Sequence, residues 1–153
     1  MAIIVQGNLF DADADAICVT CNNQLTKQGS LVMGAGAARE MLKYFPKAAQ
    51  TAGEVIGKVR EHSKSDFYGF LLTLDTDHDR LLGFLQTKYH WRDPSPLELV
   101  ERSLIVFALS ADRHPDISFA CNMPGIGLGG LAREVVVPLV NSLPENITFY
   151  ERG

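Results

Sequence analysis

The sequence predicts an α/β domain in which helices cover both faces of a central mixed sheet, a three-layer α/β/α architecture. Three observations predict it. Segments with the apolar character of strands alternate with segments of helical period along the chain. The run Ala16 to Thr20 is almost continuously apolar, as a strand covered on both faces must be. Between Pro96 and Ser110, Leu97, Val100, Leu104, Phe107 and Ala108 recur at helical intervals, while Glu98, Glu101 and Arg102 fall on another face. In sheets of this kind ligands sit outside the carboxyl ends of the strands.

A chain of 153 residues that is 46% hydrophobic and 21% charged has the size and composition of one globular domain, read here as spanning residues 1–153. No apolar run approaches the roughly 20 residues that cross a bilayer, and the amino terminus has no basic segment leading into an apolar signal core. A cytoplasmic protein without a membrane partner is therefore expected. The net charge of −4 argues against a broadly basic nucleic-acid-binding face but leaves room for a local positive groove. Cys18-x-x-Cys21 invites a redox or zinc reading, yet no second ligand pair stands at usable spacing and both cysteines lie in an apolar run. Buried reduced thiols are expected, with no metal and no cofactor.

Taken in order, Ala2 to Val5 is a short β-branched strand ended by Gly7-Asn8. Asp11, Asp13 and Asp15 alternate with alanines but lack the turn glycine and distal glutamate of a calcium loop, so they read as a solvated turn. The strand Ala16 to Thr20 ends in polar Cys21-Asn22-Asn23-Gln24. A glycine-bearing turn, Gly29 to Ala37, then opens a helix from Ala37 to Tyr44 that Phe45-Pro46 closes. Lys47 to Ala52 adds one further turn before Gly53. Phe67 to Leu74 and Leu81 to Thr87 read as strands joined by the polar Asp75 to Asp79, and His62, His78 and His114 read as surface residues. Ser95, with Glu98 three positions on, has the spacing of a capping box for the amphipathic helix. Ile117 to Cys121 is a strand, Arg133 to Ser142 a helix and Ile147 to Tyr150 a terminal strand.

Two features carry chemistry. The first is Met123-Pro124-Gly125-Ile126-Gly127-Leu128-Gly129-Gly130-Leu131, which holds four glycines within six residues just after a strand. Such a turn lets a backbone approach a phosphate closely, although it also serves a strand that must simply reverse into a helix. Together with the Gly29 to Ala37 turn it can clasp a diphosphate between two backbones. The second is Thr87-Lys88-Tyr89-His90-Trp91-Arg92 at the end of a predicted strand. A lysine placed where an apolar strand opens into a cleft loses hydration, which disfavours its charged form and makes its amine a nucleophile toward a sugar aldehyde carbon. The alternative is an anion anchor. Trp91 and Tyr89 are either base-stacking or packing residues, and Arg92 either reads phosphate or pairs with Asp93 or Glu98.

On these residues the chain resembles, over nearly its full length, the macrodomain family, whose members bind ADP-ribose. It is most similar to the branch of the antitoxin that removes ADP-ribose from DNA and the terminal ADP-ribose protein glycohydrolase. Gly7-Asn8-Leu9-Phe10 resembles the opening Gly-Asp-Leu motif, Cys21-Asn22 the strand-ending Asn, and Val32-Met33-Gly34-Ala35-Gly36-Ala37 the motif Val-Met-Gly-Lys-Gly-Ile. Phe45-Pro46, Thr87 to Arg92 and Gly127 to Leu131 follow in the family order. The resemblance implies an ADP-ribosyl glycohydrolase acting on DNA or protein, or else a non-catalytic reader or a domain processing free ADP-ribose derivatives. It implies adenine contacts from Asn8 and Leu9, and contacts from Asn22 and Thr87. Met33, Gly34, Gly36 and Ala37 on one side, and Pro124, Ile126, Gly127, Leu128, Gly129, Gly130 and Leu131 on the other, would embrace the diphosphate and distal ribose. Lys88 matches the lysine implicated in catalysis, and the antitoxin likeness raises a toxin as a partner whose identity is open.

Three departures stand out. Asn8 replaces an aspartate that accepts from the adenine amino group, which removes charge assistance. Ala35 replaces a lysine or related residue. Gly129 stands where the protein-directed glycohydrolase has its acidic catalytic residue. In addition, the Gln24 to Ser30 insertion lengthens the loop beside the cleft.

Overall fold

The structure is a computed structural model, and it describes residues 1–152. Six strands form one sheet in the order β1-β6-β5-β2-β4-β3, where β1 is Ile3–Gln6, β2 Ala16–Cys21, β3 Phe70–Asp75, β4 Arg80–Gln86, β5 Phe119–Asn122 and β6 Ile147–Glu151. Every neighbouring pair is parallel except β3 with β4, which joins antiparallel through the Thr76 to Asp79 turn. The mixed sheet read from the sequence is thus present.

Four helices complete two outer layers: α1 (Gly36–Tyr44), α2 (Ala48–Ser63), α3 (Leu97–Arg113) and α4 (Arg133–Asn141). On one face Met41, Ala48, Ala52 and Ile56 of α1 and α2 pack against Ile17, Val19, Leu82 and Phe84 of β2 and β4. On the other, Leu104, Phe107, Val136 and Val140 of α3 and α4 meet Cys18, Phe119 and Phe149. Phe107 stacks on Phe70 at a centroid distance of 4.2 Å and meets Phe119 edge-on at 5.8 Å. Successive side chains of a strand point to opposite faces, so Cys18 and Cys21 lie in different cores. All three cysteines are buried and free, and burial pushes their thiols above the ordinary range. Among the described residues no helix is long and apolar enough to cross a membrane, and no group of three or more His, Cys, Asp or Glu stands close enough to hold a metal ion.

Two expectations need correction. The segment after Phe45-Pro46 is not a single turn ended by Gly53 but a helix of 16 residues that runs through it to Ser63. Gly53 is there because another backbone crosses it: a Cβ would lie 2.0 Å from the Gly29 carbonyl oxygen and 2.8 Å from Ser30 Cα. The chain instead leaves the helix at Lys64, in the left-handed conformation with φ 53°. Nor does Ser95 cap α3. Pro96 takes the N-cap position, the Ser95 N–H donates to the Gly129 carbonyl at 2.8 Å, and its hydroxyl is buried without a partner.

The turn from Asp11 to Asp15 behaves as read. A short 3-10 turn, Leu9–Asp11, is capped by the Asn8 side chain, and Asp15 accepts from the Ser118 N–H and hydroxyl. Those hydrogen bonds hold the Asp15 carboxyl below the usual carboxylate range. His78 pairs with Asp75 beside the β3–β4 turn, at the end of the sheet away from the strand ends that open below.

Candidate functional site

The chain leaves β2 toward β3 and β4 on one side of the sheet, while β4 returns across it to β5 on the other, so strand order reverses between β2 and β5. A crevice at the carboxyl ends of these strands follows from that topology. Here it is widened by a side chain. Backbone pairing of β2 with β5 stops at Cys18 and Cys121, although both strands continue. Beyond that point the Asn122 carboxamide replaces the ladder, its Oδ1 accepting from the Thr20 N–H at 3.0 Å and its Nδ2 donating to Thr20 Oγ1 at 2.9 Å. The result is a cavity of about 520 Å³, of the size that small-molecule ligands occupy. Thr20, Cys21 and Asn122 belong to its wall.

One rim is the segment from Asn22 to Ala38. The Asn22 side chain ties the strand end to the glycine turn, accepting from Gln24 N–H at 2.8 Å and donating to the Val32 carbonyl at 3.1 Å. Leu25 bridges Leu31, folding the Gln24 to Ser30 insertion into a small hairpin. The Leu31 N–H donates to the Ala49 carbonyl at 2.9 Å, which fixes this hairpin to α2. Gly36, at φ 61°, then starts α1 with Ala35 at the cap and no side-chain cap bond. First-turn N–H groups without a capping side chain and with a positive helix end beside a cavity form a seat for an anion. Val32, Met33, Gly34, Ala35, Gly36, Ala37 and Ala38 all line the cavity.

The facing rim is the second glycine turn. Gly125 has φ 74° and a Cβ there would meet Leu131 Cδ1 at 2.6 Å, since the Leu131 N–H closes back onto the Gly125 carbonyl at 2.8 Å. Gly127–Gly129 form a 3-10 turn ended by Gly130 in the left-handed conformation. Ser95 stands beneath it: a Cβ on Gly129 would lie 2.5 Å from Ser95 Oγ, so glycine at 129 is the counterpart of serine at 95.

Between the rims lies Lys88. Thr87, buried, donates its N–H to the Cys21 carbonyl at 2.8 Å and so carries the chain past the end of β2. The Lys88 ammonium donates to the Trp91 carbonyl at 3.3 Å and to the Leu128 carbonyl at 3.2 Å, spanning from the strand end to the glycine turn. Among the described residues, Lys88 is the one Lys or Arg in the cavity wall, which holds no carboxylate. That charge pattern favours an anionic guest.

Of the residues singled out from the sequence, Asn22, Met33, Gly34, Gly36, Ala37, Thr87, Lys88, Ile126, Leu128 and Gly129 line the cavity. Asn8, Leu9, Pro124, Gly127, Gly130 and Leu131 are placed outside its wall. Leu9 is buried in the core under α1, and Leu131 packs against the opposite core while holding the turn closed. Gly127 and Gly130 shape the turn from its exposed side. The Asn8 oxygen, expected to face an adenine amino group, already accepts from the Phe10 N–H at 3.0 Å and from Arg152 at 3.4 Å. Arg92 pairs with neither Asp93 nor Glu98, since its side chain lies against His90 and Trp91. Sequence reading missed Thr20 and Asn122, whose roles come from strands far apart in the chain, and assigned Ser95 to a cap.

No family model matches the sequence, and no curated protein matches it. Solved structures do. The macrodomain of Mycobacterium tuberculosis DarG is similar with a TM-score of 0.73 and 27% identity, covering 100% of this chain and 99% of that one. The macrodomain of Thermus aquaticus DarG gives 0.70 and 25% over 100% and 99%. Thermosipho africanus DarTG, solved in complex with ADP-ribose, gives 0.72 and 24%, with 97% of this chain matched to 41% of that one. With its mixed six-stranded sheet between two helical layers and its cleft at the strand ends, the chain is a macrodomain in fold, and the structures it resembles include the DarG macrodomains.

Proposed function

We propose that this protein is an ADP-ribosyl glycohydrolase that holds ADP-ribose in the cavity between its two glycine turns and cleaves the bond joining the distal ribose to DNA or protein. The observation that carries the reading is the position of Lys88, an amine suspended between the end of β4 and the Gly127–Gly129 turn inside an otherwise uncharged cavity. The likeness to DarG macrodomains and to an ADP-ribose complex supports the ligand. The diphosphate would sit against the uncapped start of α1 and the Ile126 to Gly129 backbone, which present N–H groups and a dipole rather than long cations. The distal ribose would then lie toward Lys88.

In the proposed step the Lys88 amine adds to the anomeric carbon of the distal ribose. A C–N bond forms while the bond to the acceptor atom breaks, and the acceptor leaves with the proton shed by the amine. Water then adds at the same carbon, breaks the C–N bond and restores the amine, so the sum is hydrolysis. The step draws on no acid at position 129, which is glycine in this chain and where a Cβ would lie 2.5 Å from Ser95 Oγ.

A second reading has its own support. Two carbonyl oxygens accept from the Lys88 nitrogen, an arrangement suited to an ammonium that anchors a phosphate in a non-catalytic ADP-ribose reader. Release of ADP-ribose from a modified DNA strand and from a modified protein, assayed side by side with the purified chain, separates the two. Binding of free ADP-ribose with no release from either substrate establishes the reader.

A further inference from the structure

We propose that Gln24 is a positioning residue for Lys88: its carboxamide reaches from the inserted hairpin to the lysine segment and, from outside the cavity, holds the amine in place against the distal ribose. This inference rests on the reading of the cavity as an ADP-ribose site in which Lys88 acts. Gln24 is the first residue of the Gln24 to Ser30 insertion, and neither it nor Tyr89 belongs to the cavity wall. Its Nε2 donates to the Tyr89 carbonyl at 2.9 Å, across 65 positions of sequence, and to Asn23 Oδ1 at 3.3 Å. Two acceptors on that nitrogen fix which way the carboxamide points.

The glutamine is itself firmly held. Its N–H donates to Asn22 Oδ1 at 2.8 Å, and its carbonyl accepts from the Val32 N–H at 2.9 Å. Beside it, the buried Asn23 side chain donates to the Asp66 carbonyl at 2.6 Å, and the Asn23 carbonyl accepts from Arg60 of α2. Thr26 closes the hairpin beyond, its N–H donating to the Ser30 carbonyl at 2.8 Å and its hydroxyl accepting from the Ser30 N–H at 3.1 Å. This frame is thus tied to α2 and to the loop before β3.

The lysine segment is held less tightly. Beyond Thr87, the Lys88 N–H donates to the Cys21 carbonyl at 3.4 Å and the Lys88 carbonyl accepts from Gln86 Nε2 at 3.5 Å, both long for hydrogen bonds. The bond from Gln24 to the Tyr89 carbonyl is shorter than either. On its other side the segment reaches the glycine turn through Lys88 Nζ and the Leu128 carbonyl. Gln24 and Lys88 therefore bridge the two rims in series, one from the hairpin and one to the turn. Attack on a sugar carbon needs the reacting atoms held close to contact, and a misplacement of about 1 Å costs up to about 100-fold in rate. A side chain that touches no ligand and fixes the amine acts on rate and leaves affinity alone.

The test compares the parent with Gln24→Met, which keeps the length of the side chain and removes its donor. Gln28→Ala, at the exposed tip of the same hairpin, is the control. Single-turnover release of ADP-ribose, from a modified DNA strand and from a modified protein, should slow by roughly 5- to 100-fold in Gln24→Met on whichever substrate the parent turns over. Calorimetry should give an affinity for free ADP-ribose within about 2-fold of the parent, the split expected of a residue that acts through the amine. In the unliganded protein the Thr87 and Lys88 amide protons should exchange faster in Gln24→Met and at the parental rate in Gln28→Ala. An unchanged release rate in Gln24→Met overturns the proposal. So does a loss of rate matched by an equal loss of affinity, which makes Gln24 part of the binding rim. Where the parent releases ADP-ribose from neither substrate, the hydrolase reading falls and exchange decides. Faster exchange at these two amides then keeps Gln24 as the side chain that holds the Lys88 segment, and equal exchange removes it.

Discussion

The side chain of Asn122 grips Thr20 at two points, taking its N–H and holding its hydroxyl, where the backbones of β2 and β5 no longer meet. A side chain used as a spacer between parallel strands keeps the floor of the cleft open without leaving a ladder amide unpaired. Asn122→Ala should cost about 1–3 kcal/mol through the stranded Thr20 N–H. Urea unfolding should show a lower midpoint at constant slope, with ADP-ribose affinity falling as well. A midpoint equal to that of the parent would show that water replaces the amide.

Gly129 and Ser95 should behave as a coupled pair. Gly129→Ala sets a methyl 2.5 Å from Ser95 Oγ and should destabilise by about 1–3 kcal/mol, the usual scale of overpacking. Adding Ser95→Ala should return a large part of that loss. A double-mutant cycle by chemical denaturation measures the coupling, and additive costs would show that the turn yields by itself.

Lys88→Ala should abolish release of ADP-ribose from a modified DNA strand and weaken binding of free ADP-ribose only a few-fold. Single-turnover release and calorimetry give the two numbers. If both fall in proportion, the amine is an anchor and the reader hypothesis holds.

Arg133 donates to both oxygens of Glu151, at 2.8 and 3.0 Å, and so holds that carboxyl below the usual glutamate range. A carboxylate with a depressed folded-state pKa contributes stability that is present above the unfolded value near pH 4.3 and is lost as the pH falls through the lower folded value. Acid titration of stability should therefore show a loss on the acid side of about pH 4.3 that is smaller in Arg133→Gln. The exposed setting of the pair keeps the difference small.

Native protein at neutral pH should react slowly with a thiol reagent at all three cysteines, since burial denies the reagent access and disfavours the thiolate. Full labelling should follow unfolding in denaturant. Rapid labelling of even one thiol in the native state would contradict the packing described.

The fold was legible because each layer writes its own period into the chain. The all-apolar Ala16 to Thr20 announced a central strand, and Leu97 to Ala108 announced a covering helix; both are found with ends shifted by one or a few residues. Helix α2 was cut short because glycine ordinarily breaks a helix, and nothing local reveals that Gly29 crosses over Gly53. The site was legible where one short segment supplies it, as in Met33 to Ala37 and Thr87-Lys88. It was illegible where two distant segments must meet. Asn122 means nothing without Thr20, and Ser95 has the pattern of a cap until Gly129 is laid over it.

The crossing of the Gly29–Ser30 backbone over α2 has a consequence for how the cleft opens. One rim is bonded to α2 through Leu31 and Ala49, and the other is bonded to the start of α3 through Ser95 and Gly129, so the rims belong to opposite helical layers. Parting them means shifting a whole layer rather than fraying a loop. Amide protons in the hairpin at Leu31 should then exchange only with the opening of α2, and a ligand spanning both rims should slow that exchange by the full factor of its binding equilibrium.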